Sequence, residues 1–353
     1  MDMEPRIKVC AAHVAPVFLD AVATVAKACE LIGEAAANGA RLIAFPESYV
    51  PGFPVWAALR APIHNHEYFK AIARQSIEVP GPLTEQLCNA ARRHQVFVSV
   101  GISEGTRASV GCLWDSNLLI GEDGSILNHH RKIVPTFYEK LVWANGDGAG
   151  LRVVETAIGR LGMLICGENT NPLARYALMA QGEQIHISSY PPVWPTRDPS
   201  EGGNYDLAAA IRIRAGAHSF EGKLFNVVAS AFLDVGTLRA LEPAGADALR
   251  ILRETPRGIS VVIGPSGLPV SDTLCDDEGL LYHDVDLGDC VEPKQFHDVA
   301  GHYNRFDIFK LTVNPSANMP LSYDDTASTR PVSFDPPLEE EATAGRVDNL
   351  MRS

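Results

Sequence analysis

The sequence has little of what marks several common protein classes. Its 353 residues carry 30 Lys and Arg against 43 Asp and Glu, a formal net charge of −13, and no basic block stands out. Affinity for a phosphate backbone comes mainly from Lys and Arg, so nucleic-acid binding is not expected. No apolar run reaches the ~18 residues needed to cross a bilayer, so no membrane association is expected either. The opening MDMEPRIKVCAAHVAP lacks the basic start and long apolar segment of a secretory leader. Seven cysteines, an odd number, stand at 10, 29, 88, 112, 166, 275 and 290, with neither CxxC pairs nor His-spaced clusters. A disulfide framework and a zinc site are therefore not expected. What these absences leave is a cytoplasmic protein with reduced thiols, most of them filling a core.

What is present suits a folded catalyst. Hydrophobic residues make up 46% of the chain and charged residues 21%, enough to build a sizeable core. IKVCAAHVA reads as a strand, and the Ala-rich segment from Phe18 to Gly39 as a helix with a glycine stop. RLIAFPES is a short buried strand, LTEQLCNAARRHQ a helix after Pro82, and VFVSVGISE another strand. CLWDSNLLIGEDGSILNHHRK reads as a hairpin around GEDGS, and LRVVETAIGRLGMLICGE as a second hairpin with Gly159 in its turn. A helix follows in NPLARYALMAQG, then strand EQIHISSY, helix NYDLAAAIRIRAGAHSFEG and strand LFNVVASAFL. GISVVIGPSGLPVSD and GLLYHDVDL read as a late strand pair around GPSG. Strand–helix–strand units thus alternate with hairpins, and the second half echoes the first. The expected fold is an α/β sandwich of two facing sheets with helices outside. It forms a single domain over 1–313, with an acidic, Pro-rich tail over 314–353 where periodicity is lost.

Three reactive residues stand where an apolar strand meets a loop: Glu47 after LIAF, Lys132 at the end of a hairpin strand, and Cys166 after LGMLI. Each alone has a plain structural reading, as a turn acid, a solvated lysine and a buried small hydrophobe. Together they form a complete chemical set at the carboxyl ends of strands, where ligand sites of open α/β sheets gather. The carboxylate can take the thiol proton and later activate water. The ammonium favours the thiolate and stabilises charge developing on a substrate heteroatom. The histidines are read structurally. His129 and His130 are adjacent on a strand and face opposite ways. His186 reads as a core or interface histidine, and His302 as serving packing or assembly.

With FPESYVPGFP around Glu47, HHRKIVPTFYEKLVWANGDGAGL around Lys132 and CGENTNPLARYALMAQGEQIH around Cys166, the sequence resembles the nitrilase superfamily of carbon–nitrogen hydrolases. The likeness covers about residues 6 to 310 and is strongest to the true nitrilase branch, whose carboxyl-terminal pattern GHYNRFDIF at 301–309 also resembles. The resemblance implies a four-layer αββα sandwich, paired into an eight-layered homodimer that extends to higher homo-oligomers or spirals. It implies that Cys166 is the nucleophile, Glu47 the general base and Lys132 the stabiliser of tetrahedral intermediates. Glu139 matches a further glutamate that positions Lys132 and the substrate. The implied reaction converts a small-molecule nitrile, aliphatic or arylaliphatic, to the carboxylic acid and ammonia through thioimidate and thioester intermediates, with no cofactor and no metal. One departure stands out: many nitrilases have tryptophan directly after the cysteine, and here it is Gly167. Glycine keeps the backbone N–H donor and removes a bulky wall. Tyr49, Thr136, Tyr190 and Trp194, close to the motifs, are candidates to line the substrate pocket with Gly167. An amidase or N-carbamoyl hydrolase with the same triad, a cyanide-degrading enzyme, and a non-catalytic filament-forming or partner-binding protein remain as alternatives.

Overall fold

The computed structural model describes residues 6–318. The expected tail therefore lies outside the described residues from 319 onward. In β1 (Arg6–His13), Val9 and Ala11 face one side of the sheet and Cys10 and Ala12 the other, the two-residue period of a strand buried on both faces. Asp20 starts α1 (Ala21–Ala37) by accepting from the Ala23 N–H at 2.9 Å. The helix ends at Asn38, and Gly39 follows at φ +84°, a left-handed turn that glycine makes without strain. β2 (Leu42–Ala44) returns parallel to β1. After α2 (His66–Gln75) and α3 (Pro82–His94), β3 (Phe97–Glu104) runs parallel to β2. β4 (Trp114–Ile120) and β5 (Ile126–Arg131) complete this half as the antiparallel hairpin around GEDGS.

The second half repeats the plan. β6 (Val154–Thr156) and β7 (Gly159–Ile165) form a hairpin, and α4 (Pro172–Met179), capped by Asn171, leads to β8 (Ile185–Tyr190). α5 (Leu207–Gly222) connects to β9 (Phe225–Ser230), and β7, β8 and β9 are parallel. α6 (Val235–Ala240) and α7 (Ala246–Glu254) precede β10 (Ser260–Ile263), β11 (Pro269–Leu274) and β12 (Gly279–Asp286). The two six-stranded sheets have the orders β12-β1-β2-β3-β4-β5 and β11-β10-β9-β8-β7-β6. β12 therefore does not join the hairpin before it. It crosses to the first sheet and pairs antiparallel with β1 along its full length.

Three apolar layers make this an αββα sandwich. Between the sheets, Val9, Ala11, Leu42 and Phe97 meet Met163, Ile187, Val227 and Val262. Outside the first sheet, Val25 and Ile32 of α1 and Leu87 of α3 cover Ile43, Val98 and Val100. Outside the second, Leu207, Ile211 and Ala215 of α5 cover Val228, Val261 and Ile263. Each fully buried aliphatic side chain contributes ~1.5–3 kcal/mol. A fourth cluster, with Trp56, Tyr138, Trp143, Val193, Leu241 and Leu252, gathers loop residues with α7. The sequence pattern did not anticipate α2, α6 or α7, because each is short and buries at most two residues. Among the described residues no helix is long and apolar enough to cross a membrane.

Candidate active site

Glu47, Lys132 and Cys166 each follow the carboxyl end of a strand: β2, β5 and β7. Close packing brings the turns together. The Glu47 turn lies so near β3 that a Cβ on Gly101 would stand 2.2 Å from the Pro46 carbonyl oxygen and 2.5 Å from the Ser48 nitrogen. Only glycine fits there. Lys132 N–H donates to the Asp115 carbonyl of β4 at 2.8 Å, which fixes where the lysine leaves its strand. Cys166 opens a 3₁₀ turn, Cys166–Thr170, at φ +47°. A non-glycine residue in this region is held by its surroundings against a strain of order 1–3 kcal/mol. Ser48, beside Glu47, and Phe137, beside Thr136, also have positive φ, at 45° and 52°.

The side chains converge on one ammonium. Lys132 Nζ donates to Glu47 Oε1 at 2.5 Å and Glu139 Oε2 at 2.6 Å, and lies 3.2 Å from Asp115 Oδ2. The Cys166 Sγ and carboxylate oxygens of Glu47 and Glu139 all lie within 4.8 Å of one another. The four residues expected from the motifs are thus assembled, and all are buried. Lys132 supplies the cation between the two carboxylates, where a metal would otherwise be considered.

Three carboxyls around one ammonium leave excess negative charge in a dry site, and the acidities respond. Burial pushes the Glu47 carboxyl well above its ordinary range; Lys132 pulls it back, and Asp115 and Glu139 push it up again. Burial likewise raises Asp115, to about 6, against the pull of Lys132. Glu47 Oε2 and both Asp115 oxygens receive no hydrogen bond from a protein donor. One proton shared by the Glu47–Asp115 pair satisfies both carboxyls. Burial alone would depress the Lys132 ammonium, but Glu139, Glu47 and Asp115 outweigh it and raise it well above the usual lysine range. Burial, then Glu47, raises the Cys166 thiol far above its usual value, and Lys132 and Arg214 only partly oppose them. The resting arrangement is a neutral thiol beside a strongly basic carboxylate and a permanent cation. It can move a proton from sulfur to Glu47 when an electrophile arrives.

Two anchors hold the cysteine turn. Glu168, inside the turn, accepts from Ile165 N–H at 2.8 Å, from Ile133 N–H at 2.6 Å and from His130 Nε2 at 2.9 Å. It ties the end of β7 to the segment carrying Lys132. Asn169 donates to the Cys166 carbonyl oxygen at 3.1 Å. Neither anchor was singled out from the sequence, nor was Asp115.

The pocket candidates divide. Thr136 and Gly167 touch: a Cβ on Gly167 would lie 2.5 Å from Thr136 Oγ1. The Gly167 N–H sits in the first turn of a 3₁₀ helix, where backbone donors lack intrahelical acceptors. Trp194 Nε1 donates to Glu139 Oε1 at 3.2 Å, and its ring stacks on Tyr138 with centroids 5.5 Å apart. Tyr190 is fully buried in the apolar cluster that contains Cys166, and its hydroxyl has no partner. Tyr49 packs in the outer core of the first sheet. It lies against Phe45 at 5.1 Å and donates to the Ala15 carbonyl at 3.3 Å, and it also borders a small cavity with Glu47. A larger cavity of about 440 Å³ opens beside Phe137, Tyr138, Leu141, Pro195 and Arg197. His186 is a satisfied core histidine, bonded to Glu183 at 2.6 Å and Asn169 at 2.9 Å.

Comparison with known proteins identifies the family. The carbon–nitrogen hydrolase family model matches residues 8–295. The chain is 33% identical over 319 residues to a nitrilase from Paraburkholderia phymatum, covering 89% of this chain and 88% of that one. It is 35% identical over 324 residues to an arylacetonitrilase from Macrophomina phaseolina, covering 88% and 92%. Its fold is similar to that of Saccharomyces cerevisiae Nit3, described as a member of branch 10 of the nitrilase superfamily, with a TM-score of 0.64 and 15% identity over 86% of this chain and 98% of that one.

Proposed function

From the premise that this chain belongs to the carbon–nitrogen hydrolase family, in its nitrilase branch, we propose that it hydrolyses an aliphatic or arylaliphatic nitrile to the carboxylic acid and ammonia through covalent attachment to Cys166. The observation that carries this reading is the single ammonium held between Glu47 and Glu139, with the thiol within 4.8 Å of both carboxylates.

The thiol adds to the nitrile carbon as its proton passes to Glu47 and on to the nitrogen, giving a thioimidate. A raised Glu47 is a stronger base for this transfer, and a protonated thiol requires it. Glu47 then takes a proton from water as the oxygen adds to the same carbon. Lys132 and the Gly167 N–H stabilise the tetrahedral species. The carbon–nitrogen bond breaks, ammonia leaves, and a thioester remains. A second water, activated in the same way, releases the acid and restores the thiol. Breaking the carbon–sulfur bond first would release an amide instead. Glu139 positions Lys132, and the Thr136 N–H donates to Glu139 at 2.7 Å to hold it there.

The aromatic surfaces of Phe137, Tyr138 and Trp194 support an uncharged substrate with an apolar body, entering from the 440 Å³ cavity. Exposed apolar side chains on and beyond α5, among them Ile213, Phe220, Phe306 and Phe309, support pairing with a second copy of the chain. The test of the chemistry is ammonia and acid release from a panel of nitriles and their amides. Cys166→Ala and Glu47→Gln should each abolish acid formation. Turnover retained by either variant refutes the assignment, and release from amides alone assigns an amidase.

A further inference from the structure

Beneath the cysteine turn lies a buried polar set that the proposed chemistry does not use. Glu183, His186 and His218 are each fully or almost fully inaccessible, and their ligand-type atoms lie within 4.8 Å of one another. We infer that these three residues form a buried polar relay, which through Asn169 holds the backbone of Cys166 in its reactive turn.

The hydrogen bonds determine the protons. Asn169 Nδ2 faces the carbonyl oxygens of Leu164 at 3.2 Å and Cys166 at 3.1 Å, which can only accept. Its amide orientation is therefore fixed, and Oδ1 is the atom that meets His186 Nε2 at 2.9 Å and Ser188 Oγ at 3.1 Å. His186 Nε2 must donate. Its other nitrogen, Nδ1, lies 2.6 Å from Glu183 Oε1. A bound metal would hold two such ligand atoms about 3.3 Å apart, from metal–ligand bonds of ~2.0–2.2 Å. A separation of 2.6 Å is that of a hydrogen bond. One proton thus lies between Glu183 Oε1 and His186 Nδ1, and Nε2 carries another.

Burial would raise the Glu183 carboxyl, but His186 and His218 hold it down at about 2. Burial and then His186 hold the His218 imidazole down at about 4. His218 Nε2 lies 2.9 Å from Glu183 Oε2, with the His186 and His218 rings 4.1 Å apart. Gly162 of β7 makes the room: a Cβ there would fall 1.9 Å from Glu183 Oε1. Arg175 closes the set from α4 by donating to the Asn169 carbonyl at 2.9 Å. The chain of contacts runs from Glu183 through His186 and Asn169 to the carbonyl of the residue at φ +47°.

The inference rests on Cys166 being the nucleophile, and Asn169 and His186 are positioning residues in it. The decisive variant is Asn169→Asp in the full chain. It keeps the acceptor for His186 and removes the donor to Cys166. Its kcat for ammonia release from a nitrile should fall at least about tenfold while KM changes by less than about threefold. Alkylation of Cys166 by iodoacetamide should slow in parallel, with the melting temperature close to that of the parent. His186→Gln, which can still donate to Asn169, should retain more activity than His186→Leu. Unchanged kcat and unchanged alkylation in a folded Asn169→Asp would overturn the inference, as would stoichiometric zinc in the purified protein. A parent without nitrile activity defeats the catalytic reading alone, because alkylation reports on the relay directly.

Discussion

Asp115→Asn probes the electrostatics of the site without altering its shape. Asp115 and Glu47 each approach one lysine nitrogen, at 3.2 and 2.5 Å, so these oxygens stand no more than about 6 Å apart. Two like charges ~5 Å apart at an effective dielectric of ~20 repel by about 3 kcal/mol, or roughly 2 pH units. Asparagine removes that repulsion, so Glu47 ionises more readily and its pKa falls. The acid limb of kcat/KM should therefore move to lower pH by on the order of 1–2 units. The assay is ammonia release from a nitrile, measured from about pH 5 to about pH 9, a range that brackets the raised carboxyls. Stability gives a second arm. The folded-state pKa of Asp115, about 6, lies above its ordinary 3.8. The folded state binds the extra proton between these values, so this group's contribution to stability is present below them and is lost as pH rises through about 6. Asp115→Asn should flatten that loss. An acid limb that stays in place or moves to higher pH refutes the shared-proton account.

Two further substitutions test the cation and the pocket. Lys132→Met leaves Glu47, Asp115 and Glu139 buried without their counter-ion, so it should abolish turnover and lower stability at neutral pH by ~3–5 kcal/mol; equal denaturation midpoints for variant and parent would contradict this. Gly167→Trp must displace Thr136, whose Oγ1 lies 2.5 Å from the new Cβ, so the preference should shift toward smaller nitriles, and an unchanged ranking of small and large substrates would exclude Gly167 from the pocket wall.

Much of the site is readable along the chain because Glu47 and Cys166 stand just past apolar strands. LIAF leads to Glu47 and LGMLI to Cys166, and the hydrophobic runs place both turns at one end of the sheets. Glu139 is readable only through the motif around it, since a glutamate seven residues beyond Lys132 has no distinctive pattern of its own. Asp115 gives no local signal. An acid near the start of a strand ordinarily faces solvent, and only the β4–β5 pairing turns this one toward Lys132. Tyr49 packs in the outer core of the first sheet and also borders the small cavity beside Glu47, and proximity in sequence does not say which of the two its ring serves. The Glu183–His186–His218 set is also hidden, as His218 arrives on α5 and meets the others only when that helix packs across the second sheet. β12 follows the same rule: its crossing to β1 is a property of topology that strand periodicity does not carry.

The central claim is that substrate carbon becomes bonded to the Cys166 sulfur. The most direct measurement is acid quenching during turnover of a nitrile, followed by intact-mass and peptide mass spectrometry. The account predicts an imidoyl or acyl adduct on the peptide carrying Cys166, present in the parent and absent from Cys166→Ala. An adduct on another residue, or ammonia release by Cys166→Ala at the parent's rate, would contradict it.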